Sequence, residues 1–174
     1  MIKLVYDWAE PFKEGLAAVK INGKYGFVDK KGNVVIEAIY DGAGGFNEGL
    51  APVKINGKWG YIDKEGNVVI EAVYEDAWNF SEGLAAVKIN DKWGFVDKKG
   101  NMVIEAIYDW VEPFIEELAA VKLNGKWGYI DKKGNVVIEP VYNWVEPFKE
   151  GIAIVIINGK LGYIDKEGTQ YWED

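Results

Sequence analysis

The chain of 174 residues contains no cysteine, no histidine and no arginine; its 20 basic residues are all lysine. Without cysteine there is no disulfide framework and no thiolate metal site. Without histidine, the commonest general base near neutral pH and the commonest metal ligand are both missing. Ser81 is the only serine and Thr169 the only threonine, so nucleophile–base chemistry has almost no raw material. A non-enzyme is expected, with no catalytic residue, metal or cofactor. No apolar run approaches the ~18 residues of a membrane span. The segment Met1–Asp7 lacks the extended apolar region of a signal peptide. A cytoplasmic location is the default expectation, although an excised fragment of an exported protein would read the same. The net charge of −8 repels phosphates and anionic lipid, so neither nucleic acid nor membrane insertion is expected.

What the chain does have is a period. Phe12, Phe46, Phe80, Phe114 and Phe148 stand 34 residues apart. Asp29, Asp63, Asp97, Asp131 and Asp165 keep the same spacing, as do Gly26, Gly60, Gly94, Gly128 and Gly162. A fixed period of this size signals a repeat architecture, in which each unit buries its apolar face against its neighbours. Residues 1–174 read as a single repeat domain. Its units are about 12–45, 46–79, 80–113, 114–147 and 148–174, with 1–11 as a partial terminal unit.

Within a unit the apolar period is two rather than 3.6, and β-branched residues dominate. Leu84–Ile89 alternates as a half-buried strand, with Lys88 on the outer face. The equivalent stretch in other units runs into Asn22-Gly23, Asn56-Gly57, Asn124-Gly125 and Asn158-Gly159. Asn-Gly accepts positive φ at both positions, as a two-residue hairpin requires. Asn90-Asp91 suits that geometry less well, so a weaker turn is expected there. The second strand, as in Lys58–Asp63, carries a glycine, which implies that a ring or backbone packs over it. The turn Asp63-Lys64-Glu65-Gly66 leads to a third strand, Val68–Tyr74, with Ile70, Ala72 and Tyr74 on one face opposite Glu71. This predicts an all-β fold of five tandem three-stranded antiparallel meanders. Glu112–Leu118 is the one segment that could form a helical turn.

Met1–Asp7 align with Val35–Asp41, so the chain begins partway through a unit. A closed five-unit propeller-like ring would hide the sheet edges. However, Gln170–Asp174 fall at the third-strand positions that Met1–Leu4 would also claim. The expected architecture is therefore an open, curved, solenoid-like array with caps, with the closed ring as the alternative.

The hairpins barely change from unit to unit; the linker between units does. It reads Asp7-Trp8-Ala9-Glu10-Pro11, Asp41-Gly42-Ala43-Gly44-Gly45, Glu75-Asp76-Ala77-Trp78-Asn79, Asp109-Trp110-Val111-Glu112-Pro113 and Asn143-Trp144-Val145-Glu146-Pro147. Variation confined to one segment of a constant scaffold is where specificity is written. The candidate ligand-binding residues are Trp8, Glu10, Trp78, Trp110, Glu112, Trp144 and Glu146. As a binding edge, they would suit a cationic or sugar-like ligand or a basic peptide. As packing, the Trp rings would wedge between units. Tyr25, Trp59, Trp93 and Trp127, with Leu161 at the fifth position, are expected in the core, because a packing site tolerates that exchange and an aromatic cage does not. The line Glu14, Glu48, Glu82, Glu116 and Glu150 is expected to be solvated charge. The Asp-Lys turns are expected to be turn chemistry rather than calcium sites.

The assembled signature is Phe80-Ser81-Glu82-Gly83-Leu84-Ala85-Ala86-Val87 followed by Lys92-Trp93-Gly94-Phe95-Val96-Asp97. It resembles the bacterial WG repeat, also called the KWG repeat, over essentially the whole chain. The structural signature comprises Tyr25, Gly26, Trp59, Gly60, Trp93, Gly94, Trp127, Gly128 and Gly162. The resemblance implies a β-rich module of variable copy number with a poorly defined biochemical role. A shorter stretch, Asn56–Asn67, is similar to the hairpin of choline-binding and glucan-binding cell-wall repeats, with Gly60 where those carry a second aromatic. The expected function is a non-enzymatic scaffold for protein or peptide binding through the linkers. The alternatives are a carbohydrate- or choline-type surface module and a structural spacer or consensus-engineered repeat.

Overall fold

The computed structural model describes residues 6–172 as strands joined by turns and short connections. Five four-stranded antiparallel sheets follow one another, each with its strands in chain order. The first holds β1 (Trp8–Ala9), β2 (Leu16–Ile21), β3 (Lys24–Asp29) and β4 (Val34–Tyr40). The second holds β5 (Gly42–Ala43), β6 (Ala51–Ile55), β7 (Lys58–Ile62) and β8 (Val68–Tyr74). In the third are β9 (Asp76–Ala77), β10 (Leu84–Ile89), β11 (Lys92–Asp97) and β12 (Met102–Tyr108). The fourth comprises β13 (Trp110–Val111), β14 (Leu118–Leu123), β15 (Lys126–Asp131) and β16 (Val136–Tyr142), and the fifth β17 (Trp144–Val145), β18 (Ile152–Ile157), β19 (Lys160–Asp165) and β20 (Gln170–Trp172). The chain falls into two compact units, Met1–Ala85 with Lys98–Gly100 and Ala86–Asp97 with Asn101–Asp174.

The expected three-stranded meander is thus corrected to a four-stranded sheet. The added strand comes from the linker. Trp8 and Ala9 pair with Lys20 and Val19, and the Asp7 and Glu10 amides extend the same ladder to the Lys20 and Ala18 carbonyls. A two-residue strand cannot display alternation, so periodicity could not reveal it. Met1–Leu4, expected as a piece of third strand, lie outside the described residues. The C-terminal Gln170–Trp172 do form a final strand, paired with β19 through Ile164, Tyr163 and Gly162.

The first long strand of the first four sheets is buried on both faces, not one; in β18 only the face of Ala153 and Val155 is buried, and Ile152 is exposed. In the first unit, Leu16 and Ala18 join a cluster with Phe27, Phe46 and Val53. Ala17 and Val19, on the opposite face, pack with Val28. Alanine at these positions lets packed elements approach on both sides. In the second unit, an equivalent cluster joins Tyr129, Phe148, Val155 and Ile164.

Two of the expected turns form as read. Asn22 and Gly23 take φ of 50° and 82°. Asn90 and Asp91 adopt the same turn with φ of 48° and 63°, and Lys88 Nζ pairs with Asp91 at 2.9 Å. In the second turn, Asp29 Oδ1 accepts the Lys31 and Asn33 amides and Oδ2 accepts the Asn33 side chain, all at 2.9 Å. The Asn33 side-chain and backbone hydrogen bonds hold the Asp29 carboxyl below its usual range.

A third tight turn was not anticipated. Lys13 bridges to Leu16 across Glu14-Gly15, with both residues at positive φ. Its equivalent replaces the helical turn expected at Glu112–Leu118: Ile115 bridges to Leu118, across Glu116 and Glu117 at φ of 52° and 74°. The acidic line is not simply solvated either. Glu14 and Glu48 carboxylates accept the Gly49 and Gly83 amides of the following repeat at 3.0 Å, and Glu116 accepts the Gly151 amide at 2.9 Å. Lys64, Lys98 and Lys166 stand 3.2–3.6 Å from the same carboxylates. Glu117 occupies a place where four repeats have glycine. A left-handed L-residue costs roughly 1–2 kcal/mol, partly offset by the ~0.4–1 kcal/mol of unfolded-state entropy that glycine restores. Glu117→Gly is therefore expected to raise stability by about 0.5 kcal/mol, even without the exposed contact to Lys132. Urea titration checks this as a higher midpoint at unchanged slope.

Candidate interaction surface

The linker strands form one edge of each sheet, and their side chains decide what that edge offers. The equivalent positions 8, 42, 76, 110 and 144 carry Trp, Gly, Asp, Trp and Trp. Trp8, Trp110 and Trp144 are 41%, 42% and 43% exposed, so they are not wedges in a core. Trp78 is not their equivalent. It stands where Glu10, Glu112 and Glu146 stand in other repeats, is half-buried, and its carbonyl accepts the Tyr61 hydroxyl at 2.6 Å. The Glu146 carbonyl accepts the Tyr129 hydroxyl in the same way. Burial raises both tyrosines well above the usual range.

Two of the exposed indoles, Trp8 and Trp110, are held in place. Trp8 meets Tyr25 edge-on at 5.6 Å. Trp110 meets Trp93 edge-on at 5.7 Å and donates Nε1–H to Glu112 Oε1 at 3.1 Å. The Glu112 carboxylate is therefore committed to its own repeat's indole. Glu10 and Glu146 are half-buried beside their strands.

Of the second-strand side chains expected in the core, only Trp93 is fully buried. Trp93 is 2% exposed, covered by Trp110. Tyr25, Trp59 and Trp127 are half-buried, and Leu161 is exposed. The register explains this. Trp8, Lys20 and Tyr25 lie opposite one another across three strands, as do Trp110, Lys122 and Trp127, beside the exposed linker tryptophans. Lys20 Nζ lies 5.3 Å from the Tyr25 ring centre and Lys122 Nζ 5.8 Å from that of Trp127, a cation–π arrangement.

The signature glycines have a different role. A Cβ on Gly60 would lie 2.5 Å from the Ile70 carbonyl oxygen and 2.7 Å from the Ala72 nitrogen, and one on Gly26 would meet Ile36 and Ala38 likewise. Gly94 and Gly128 are closed by the backbone of their own fourth strand, Gly162 by the Trp172 ring. The position where a cage would need its second aromatic is thus filled by a neighbouring strand. Among the described residues, no three acidic side chains gather to hold a metal ion.

Small repeated antiparallel sheets with a constant interior and one variable, aromatic-bearing edge define a tandem β-repeat protein. The model of the WG containing repeat matches residues 1–25, 25–59, 59–93, 93–127 and 127–160, and the chain belongs to that family. No curated protein matches it. Among solved structures, it is similar to a eukaryotic initiation factor, at 15% identity and a TM-score of 0.58 over 95% of this chain and 54% of that one. It is also similar to Kluyveromyces lactis Hsv2 with loop 6CD replaced by a Gly-Ser linker, at 12% identity and a TM-score of 0.57 over 93% of this chain and 63% of that one. The chain spans less than two thirds of either, and identity this low speaks of fold alone.

Proposed function

We propose that the chain is a non-enzymatic repeat scaffold that binds a partner protein or peptide along its linker strands. The observation that carries this is the exposure of Trp8, Trp110 and Trp144, at 41–43%, on edge strands that vary while the rest of each repeat does not. Large flat rings held by neighbours lose little freedom on binding, which is why tryptophan dominates interface energetics. Lys20 and Lys122 occupy the cation side of Tyr25 and Trp127, which speaks against a choline-type cage there. For the architecture, the four-stranded sheet is the unit from which propellers are built, which supports the propeller-like reading.

Exchange of linkers 41–45 and 109–113 is the test. Cross-linking and affinity capture from matched lysates should give a changed partner set for the swapped chain. A Trp8→Ala, Trp110→Ala, Trp144→Ala variant should lose most of the captured protein while keeping its strand spectrum. Identical partners for all three chains would refute the reading.

A further inference from the structure

Beside the edge strand of the second sheet lies a cleft of about 290 Å³ whose walls include Gly44, Pro52, Trp59, Asp76 and Asn79. The second linker beside it is glycine-rich. Gly42 and Gly44 stand where the first and fourth linkers carry Trp and Glu. A Cβ on Gly44 would lie 2.9 Å from Pro52 Cγ and 3.2 Å from Asn79 Oδ1, two residues of the cleft wall.

Three observations give the cleft its chemistry. Asn79 Oδ1 is buried and accepts no hydrogen bond, an arrangement that buried oxygens rarely tolerate without a partner. Asp76 accepts the Ala77 amide through Oδ1 at 2.8 Å, and no lysine pairs with its carboxylate among the described residues. Finally, Lys20 and Lys122 cover Tyr25 and Trp127, but among the described residues no cation lies over Trp59, although Lys54 holds the equivalent register opposite it. The cleft is therefore lined by the Trp59 indole and two acceptors, with no lysine among its lining residues, on a chain of net charge −8. A ligand that completes it brings donors and positive charge.

We propose that this cleft receives an arginine side chain of the bound peptide. A planar guanidinium can stack on the Trp59 ring while its fork donates to Asp76 and Asn79, whereas an ammonium has neither a plane to stack nor a fixed fork of donors. The proposal rests on the protein-or-peptide reading above and gives the partner's chemistry at one position of it.

The experiment is calorimetric titration of the full chain with nine-residue peptides identical except for a central Arg, citrulline or Glu. The arginine peptide should bind, citrulline should weaken it roughly tenfold through loss of charge-assisted hydrogen bonds, and glutamate should abolish it. Asp76→Asn and Trp59→Leu should each weaken the arginine peptide about tenfold; Leu161 at the equivalent position shows that leucine is compatible with the fold. Gly44→Ala should close the cleft. Equal binding of the arginine and citrulline peptides, or affinity untouched by both Asp76→Asn and Trp59→Leu, overturns the arginine site while leaving peptide binding intact. No heat with the arginine peptide also overturns it, and the linker-swap capture then decides separately whether the scaffold reading falls too.

Discussion

Alanine in place of Gly60 is expected to cost about 3 kcal/mol or more and to unfold much of the sheet around it. The added methyl would lie 2.5 Å from the Ile70 oxygen and 2.7–2.8 Å from Ala72 backbone atoms. No side chain can turn aside, because every atom it meets belongs to strand β8. That strand cannot retreat easily: its register with β7 already shifts between Trp59, Tyr61 and Ile62, and Ile70 is locked in the buried interior. Gly57→Ala is the informative comparison. It has open space around it but φ of +80°, so it should cost only ~1–2 kcal/mol. Urea unfolding followed by circular dichroism separates the two. A loss below 1 kcal/mol for Gly60→Ala would show that the strands part more readily than this geometry implies.

Phe46→Ala is expected to cost about 3–5 kcal/mol, the range for emptying a packed aromatic site. Phe46 is fully buried and meets Phe27 edge-on at 4.9 Å. Truncation removes both the buried area and an aromatic contact that links one repeat's sheet to the next. Phe12→Ala removes the same side chain from the equivalent position, but Phe12 is 47% exposed, so a change within about 0.5 kcal/mol is expected. Chemical denaturation should show a fallen midpoint for the first variant and an unmoved one for the second. Equal effects would mean that the Phe27–Phe46 contact does not hold the repeats together.

Much of this architecture was legible in the residues. The Asn-Gly and Asp-Lys-Lys/Glu-Gly turns carry their own chemistry, and the glycine inside the second strand announced a close approach that the fourth strand makes. Other features were hidden for physical reasons. Glu14-Gly15 turns the chain with a residue type that gives no local signal for positive φ. The strands Trp8–Ala9 and Trp110–Val111 are too short to alternate. Leu84–Ile89 read as half-buried because Lys88 lies on its outer face, yet in the equivalent strand Leu16–Ile21 a second packed layer lies against Ala17 and Val19. The candidate site was legible as a variable segment, but the linkers are not interchangeable. Trp78 shares a name with Trp110 and not a place, and the glycine-rich second linker stands beside the cleft lined by Asn79 and Asp76.

The carboxylates of Glu14, Glu48 and Glu116 each reach an amide 35 residues downstream. Because the reach equals one period plus one residue, gene duplication or deletion in whole multiples of that period leaves each of these joints its partner. Copy number can then drift without redesign of any junction, whereas an insertion of even one residue inside a repeat would separate an acid from its amide. Length variation in this lineage is therefore expected to come in steps of 34.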